Sequence, residues 1–381
     1  MMSMLRKMTL RTAATAVAAA CVAVLTVHGA AAQQNKPLKW AALGDSYMAD
    51  VAVPPWQSPA EADGCGRSGR NWEQQLATRL NTQSPNWVNL TDVTCGSATV
   101  DAGILGKQTA LVGPPYNGAP EGGYPARPPQ IDVVTADTDI VTVGIGGNDL
   151  GFGPILTKCM ELGSENHRCQ PYFETGEGRP QLDAGWRTLR TGLAATMAAI
   201  KQHAPNAKVF VLGYPAVAGA PIQSQCTREI LGIPNFYKLG PMMKDDAPWF
   251  DEIEQALNFE VENAAETAGA TYVDTYTSSI AHGACLPSNS ANQPPNPDKW
   301  MYGIFDKLVL PPGVSKPAKP EYHCAGRDEV ENSLPVGVPF IAGEACTFVH
   351  PNYYGAQNQA EQAYRAFESA GLTPTGLTAG S

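Results

Sequence analysis

Three small polar tips, each following an apolar run, carry the residues of this chain best suited to chemistry. Gly44-Asp45-Ser46 follows Trp40-Ala41-Ala42-Leu43, Gly96-Ser97-Ala98 follows Asp92-Val93-Thr94-Cys95, and Gly146-Gly147-Asn148-Asp149 follows a β-branched run from Asp139. Glycine allows a sharp turn at the end of a buried strand, so each tip can present a polar group at a sheet edge. In an open parallel sheet those ends share one edge, where such folds keep their ligands, so residues about fifty apart in sequence can meet in one cleft. A serine hydroxyl, a backbone N–H and a carboxamide N–H together suit acyl transfer: Ser46 as nucleophile, with the Gly96-Ser97 backbone and Asn148 stabilising a tetrahedral oxyanion. That chemistry needs a base. Of the histidines, His167, His203, His282 and His323 read as loop or helix-end residues, whereas His350 in Thr347-Phe348-Val349-His350-Pro351-Asn352 sits on a constrained turn before the last helix. An imidazole there can reach Ser46.

The elements that must position these tips alternate along the chain. Strands are expected at 39–43, 92–95, 139–145, 208–213 and 270–274, with helices at 71–83, 186–203, 249–268 and 354–370 and a brief helix at 130–134. Trp72, Leu76 and Leu80, and Leu189, Leu193, Met197 and Ile200, recur at helical spacing. Such alternation predicts an α/β fold, a doubly wound five-stranded parallel sheet with helices on both faces. The segment between Cys159 and Cys169 reads as a polar loop. Residues 286–345, rich in proline, read as an irregular insertion, with Trp300, Tyr302, Ile304 and Phe305 as candidate lining of an acyl pocket.

At the N-terminus, Arg6, Lys7 and Arg11 precede an apolar stretch ending at Ala30-Ala31-Ala32, the pattern of an export signal cleaved near residue 32. The remainder, 33–381, is expected to be one secreted domain with no integral membrane segment. The full chain has 36 acidic and 26 basic residues, a net charge of −10, which argues against nucleic acid as a partner. Of nine cysteines, all but Cys21 lie beyond the signal. Eight in an exported chain imply disulfides; they allow about a hundred pairings, of which the simplest is sequential: Cys65–Cys95, Cys159–Cys169, Cys226–Cys285 and Cys324–Cys346. No metal-ligand spacing or phosphate loop is present, and Asp149 stands where a dinucleotide fingerprint needs glycine, so no cofactor is expected.

Gly44-Asp45-Ser46-Tyr47, Gly146-Gly147-Asn148-Asp149 and His350 resemble blocks of the SGNH (GDSL-type) hydrolases. Asp92 to Cys95, Val211-Leu212-Gly213-Tyr214-Pro215 and His350-Pro351-Asn352 resemble secreted actinobacterial esterases and lipases within that family, the likeness covering 36–285 and 346–370. The resemblance implies a three-layer αβα, flavodoxin-like fold and a cofactor-free esterase or lipase acting on small-molecule or lipid esters as a monomer. Ser46 and His350 would be catalytic, with Ser46, Ser97 (or Gly96 under a one-residue shift) and Asn148 as oxyanion donors. This chain departs from the family pattern twice. Ser97 occupies a position usually held by glycine, and Thr347 stands where many members have an aspartate, which implies a Ser–His dyad whose imidazole is oriented by the Thr347 main-chain carbonyl. Asp45 and Asp149 are expected to cap turns or hold neighbouring loops. Alternatives on the same site are a lipid acyltransferase or a carbohydrate deacetylase; a different class is a non-catalytic secreted binding protein.

Overall fold

The apolar run Leu38–Gly44 forms strand β1, in which Trp40, Ala41, Ala42 and Leu43 are buried on both sides of the sheet. The computed structural model describes residues 36–55, 63–109, 124–219, 239–286, 295–303, 308–315 and 349–374, together with 226, 229–230, 233–234 and 306. β1 is flanked by β2 (Val88–Asp92) and β3 (Ile140–Gly144); β4 (Lys208–Leu212) and β5 (Thr271–Val273) complete a parallel sheet ordered β2-β1-β3-β4-β5. Every residue of β3 is buried, as its β-branched composition leads one to expect of a central strand. A separate two-residue antiparallel pair, Glu229–Ile230 with Ile233–Pro234, lies outside this sheet.

Helices cover both faces. On one, α1 (Trp72–Gln83) and the C-terminal helix Tyr353–Ser369 bury Trp72, Leu76, Leu80, Ala363 and Phe367 against Trp40, Ile140 and Phe210. On the other, Arg179–His203 and Ala247–Ala268 bury Leu189, Leu193, Ile200, Phe250, Leu257 and Val261 against Leu43, Val141, Val143 and Val211. The result is the three-layer αβα sandwich with a five-stranded parallel sheet. Asn71 caps α1 by accepting from the Gln74 N–H at 3.1 Å, which satisfies one of the donors a helix start leaves unpaired. No helix among the described residues is long and apolar enough to cross a membrane.

Some local expectations shift. The second strand runs over Val88–Asp92 rather than 92–95, because Asp92 turns the chain: its Oδ1 accepts from the Thr94 N–H (3.1 Å) and hydroxyl (2.7 Å). Backbone contact with β1 nevertheless continues, the Cys95 N–H donating to Gly44 O at 3.0 Å. The segment 159–169 is largely helical: Phe152–Ser164 and Cys169–Glu174 flank a short turn. Phe152, Ile155, Leu156, Cys159 and Met160 had the helical period, but Gly151, Gly153 and Pro154 mask it; proline is tolerated in a first helical turn. The brief helix expected at 130–134 is a 3-10 turn, Gln130–Val133.

Disulfides join Cys65 to Cys95, Cys159 to Cys169 and Cys226 to Cys285. Cys324 and Cys346 lie outside the described residues, as do Thr347, His323, Ile304, Phe305 and most of 286–345.

Candidate active site

β1 and β3 are neighbours whose final residues pair, Gly44 with Gly144, and the chain leaves β1 for β2 on its other side. Such a reversal opens a crevice at the strands' C-terminal ends. Ser46 opens the four-residue helix Ser46–Ala49 just beyond β1, and Asn148 lies in Gly147–Leu150 just beyond β3. Gly44 makes the first turn possible. At φ +148° a Cβ there would sit 2.3 Å from Met48 Cγ and 2.6 Å from Gly144 O, so no other residue fits without displacing the strand. The buried Gln130 amide holds the same residue from the side, accepting from Gly44 N–H at 2.7 Å and donating to Gly44 O at 3.0 Å.

Asp45, 1% exposed, accepts from the Tyr47 N–H at 3.0 Å and from the Tyr214 hydroxyl at 2.6 Å. The Tyr214 oxygen in turn accepts from the Gly147 N–H at 2.8 Å, so one phenol ties the Ser46 turn to the Asn148 turn. Asp149 accepts from the Val100 N–H at 3.0 Å, anchoring the loop that follows Ser97 to the same place. Asp45 and Asp149 thus hold neighbouring backbone.

In the second tip, Cys95 N–H donates to Gly44 O, Gly96 N–H to Cys65 O (2.9 Å) and Ala98 N–H to Cys95 O (3.2 Å). Among the described residues the Ser97 N–H has no acceptor. Ser97 adopts φ +63°, a left-handed conformation that explains why glycine suits this position. Asn148 Nδ2 donates one hydrogen to Ala98 O at 2.9 Å, which fixes its carboxamide beside this tip and leaves the second hydrogen for a ligand.

His350 Nε2 lies 2.8 Å from Ser46 Oγ. The imidazole packs against the Tyr47 ring (centroids 4.8 Å apart), and the Tyr47 hydroxyl donates to Val349 O at 2.5 Å. Further support comes from residues 299–303 and 306, in the segment expected to be an irregular insertion with acyl-pocket lining. Tyr302 N–H donates to His350 O (3.0 Å), and Asn352 donates to Trp300 O and Lys299 O (2.8 and 2.6 Å). Lys299 itself is buried, paired with Asp306 at 2.6 Å and donating to Ala284 O and Leu286 O, beside the Cys226–Cys285 disulfide. Tyr302, 1% exposed, packs with Ala52, Leu308 and Val309, and Trp300 stacks on His282 at 3.5 Å. The Tyr302 side chain is thus closed off from any open pocket, Trp300 faces a groove that holds none of the candidate site residues, and the backbone of both braces the histidine loop. His167 is exposed and His203 bonds Val134 O, so the other described histidines lie elsewhere. A groove between α1 and the C-terminal helix, lined by Gln75, Arg79, Trp300, Tyr354 and Glu361, contains none of Ser46, Ser97, Asn148 or His350. Among the described residues no cluster of His, Cys, Asp or Glu has the geometry of a metal site.

Burial, which disfavours the charged form, raises Asp45 to about 7 and Asp149 to about 6 and also lifts Asp50, Glu73 and Glu254 well above the usual carboxylate range. The folded chain therefore retains protons that the unfolded chain releases near pH 4. Between about pH 4 and pH 7 the native state binds more protons, so the stability these groups supply is complete at low pH and is lost as pH rises through their folded values. Asp137, held down to about 2 by Lys39, acts in the opposite sense but is exposed and screened. Urea denaturation is expected to show unfolding free energy falling from pH 5 to pH 8; a rise across that range would contradict this balance.

Residues 42–300 match the GDSL-like Lipase/Acylhydrolase family, and the chain is 34% identical to Lipase 2 of Streptomyces coelicolor over 289 residues, 74% of this chain and 84% of that protein. The chain belongs to that family. It is also 28% identical to an esterase of Streptomyces scabiei over 72% of this chain and 80% of the relative. Among solved structures, phospholipase A1 from Streptomyces albidoflavus NA297 shares the fold at a TM-score of 0.52, with 16% identity, 87% of this chain and 99% of that chain being covered. Membership of the GDSL-like family makes the protein a carboxylic ester hydrolase, a lipase or esterase with ester substrates.

Proposed function

We propose that the protein is an exported serine esterase or lipase that works through a Ser46–His350 pair and an oxyanion site built from Ser46 N–H, Ser97 N–H and the Asn148 carboxamide. The 2.8 Å approach of His350 Nε2 to Ser46 Oγ carries this reading. Ser46 Oγ attacks the ester carbonyl carbon while its proton passes to His350 Nε2. The tetrahedral oxyanion collapses, His350 returns the proton to the departing alkoxide, and an alcohol leaves. Water then attacks the acyl-Ser46 ester, giving its proton to His350, and the acid is released with the serine hydroxyl restored.

The engagement of Gly96 N–H with Cys65 O favours Ser97 as the backbone donor at the second tip. The Thr347 carbonyl is proposed as the acceptor for Nδ1–H. Export is supported by the basic-apolar leader over 1–32 and by disulfides, which persist in oxidising compartments. Treatment with an organophosphate fluoride is expected to label the protein once, on the peptide containing Ser46, and to abolish ester hydrolysis in proportion. Labelling elsewhere, or full activity after Ser46 is modified, would overturn the assignment. Assaying acetyl through palmitoyl esters, with added alcohol as a competing acceptor, then separates short-chain esterase, lipase and acyltransferase behaviour.

A further inference from the structure

The peptide joining Gly96 to Ser97 has two ends that matter. One is the Ser97 N–H. The other is Gly96 O, which accepts from Gln108 Nε2 at 2.7 Å in a buried hydrogen bond. A trans peptide is planar, with its C=O and N–H pointing in opposite directions, so whatever grips the oxygen also aims the hydrogen. Gln108 is 1% exposed, and its own backbone is fixed by a two-way bridge with Arg127, at 3.1 and 2.9 Å. The grip therefore comes from a side chain with little freedom to move. It is needed because Ser97 carries a left-handed φ of +63°, which a Cβ-bearing residue resists; without a hold on the adjoining carbonyl this peptide can rotate toward more favourable dihedrals. The neighbouring N–H groups at Cys95, Gly96 and Ala98 are each held by backbone oxygens, whereas the 96–97 peptide is gripped at its oxygen by the Gln108 side chain.

We propose that Gln108 is a positioning residue for the oxyanion site, holding the Gly96–Ser97 peptide so that the Ser97 N–H faces the carbonyl oxygen of the ester as it becomes negative. This rests on the oxyanion role proposed for Ser97. Gln108 touches no reacting atom; its effect is confined to the state in which negative charge develops, because a preorganised donor contributes more to the transition state than to ground-state binding.

The test compares Gln108→Met, which keeps the length and removes the donor, with wild type and with Ser46→Ala. Gln108→Met is expected to lower kcat by about 10- to 10²-fold, less than outright loss of one donor, with KM for a short acyl ester unchanged. Inhibition by an alkylboronic acid, whose tetrahedral adduct places an anionic oxygen in the same site, is expected to weaken by the same factor. Gln108→Glu can donate only when protonated, so the ratio of its kcat to that of wild type at each pH is expected to fall as pH rises. A cooperatively unfolding Gln108→Met with kcat within twofold of wild type would overturn the proposal. So would equal losses of ester and boronate binding with a pH-independent Gln108→Glu ratio. Should Gln108→Met fail to fold, the Gln108→Glu ratio decides alone. Ser46→Ala distinguishes the levels: if it stays active, the underlying site reading fails, whereas if it is inactive and Gln108→Met is not, only the role of Gln108 fails.

Discussion

Replacing Ser46 by alanine is expected to lower kcat/KM for any ester substrate by roughly 10⁴- to 10⁶-fold, the scale seen when a nucleophile is removed from a Ser–His system. The fold should survive, because the turn is held by other groups: Gly44 by Gln130 and the neighbouring strands, and Asp45 by Tyr47 and Tyr214. His350→Ala is expected to cause a loss of the same order, and the double variant little more, since the two residues act as one unit. Thr347→Ala provides the contrast. If the imidazole is oriented by a main-chain carbonyl, this variant keeps its activity; a loss comparable to that of His350→Ala would place the orienting group in the Thr347 side chain and refute the carbonyl. A neutral carbonyl stabilises an imidazolium less than a carboxylate does, so Thr347→Asp tests whether the dyad gains from a charged partner.

Asn148→Ala is expected to lower kcat by about 10²- to 10³-fold with little change in KM, the usual consequence of losing one oxyanion donor. The side chain is prepared for that role by donating to Ala98 O at 2.9 Å, which holds the carboxamide so that its orientation need not be acquired during the reaction. Asn148→Asp is the sharper probe. It keeps the shape, removes both N–H donors and sets a carboxylate opposite the developing oxyanion, so it should be no better than alanine. If Asn148→Asp retained wild-type kcat, or if Asn148→Ala raised KM at constant kcat, the carboxamide would be binding substrate uniformly rather than stabilising the transition state.

Stability and activity are expected to respond to pH in opposite senses. A general base works only as neutral imidazole, so with His350 as proposed base activity is expected to rise with pH, whereas the buried acids stabilise the fold best when protonated. Asp45 stands where the two meet: it caps the Ser46 turn, and its other oxygen binds the phenol that holds Gly147.

What the sequence by itself determined is the alternation of strands and helices and the identity of the polar tips. These follow from local rules: β-branched runs bury as central strands, apolar residues at helical spacing form helix faces, and glycine permits the turns that end them. The approach of Ser46 to His350, more than three hundred residues apart, was legible only as an expectation drawn from the turn before the last helix and from family resemblance, since no local propensity encodes such a separation. The tertiary structure decided the supports. Gln108 and the Lys299–Asp306 pair lie in irregular segments without periodicity and Gln130 in a single 3-10 turn, and an amide or a lysine in such a place gives no sign of being buried until its partner backbone arrives from elsewhere in the chain. The same holds for the end of β2, where Asp92 turned the chain through its own side-chain hydrogen bonds although the β-prone residues continued. Local composition sets which elements form, while the hydrogen-bond demands of backbone buried between those elements select the side chains that aim the site.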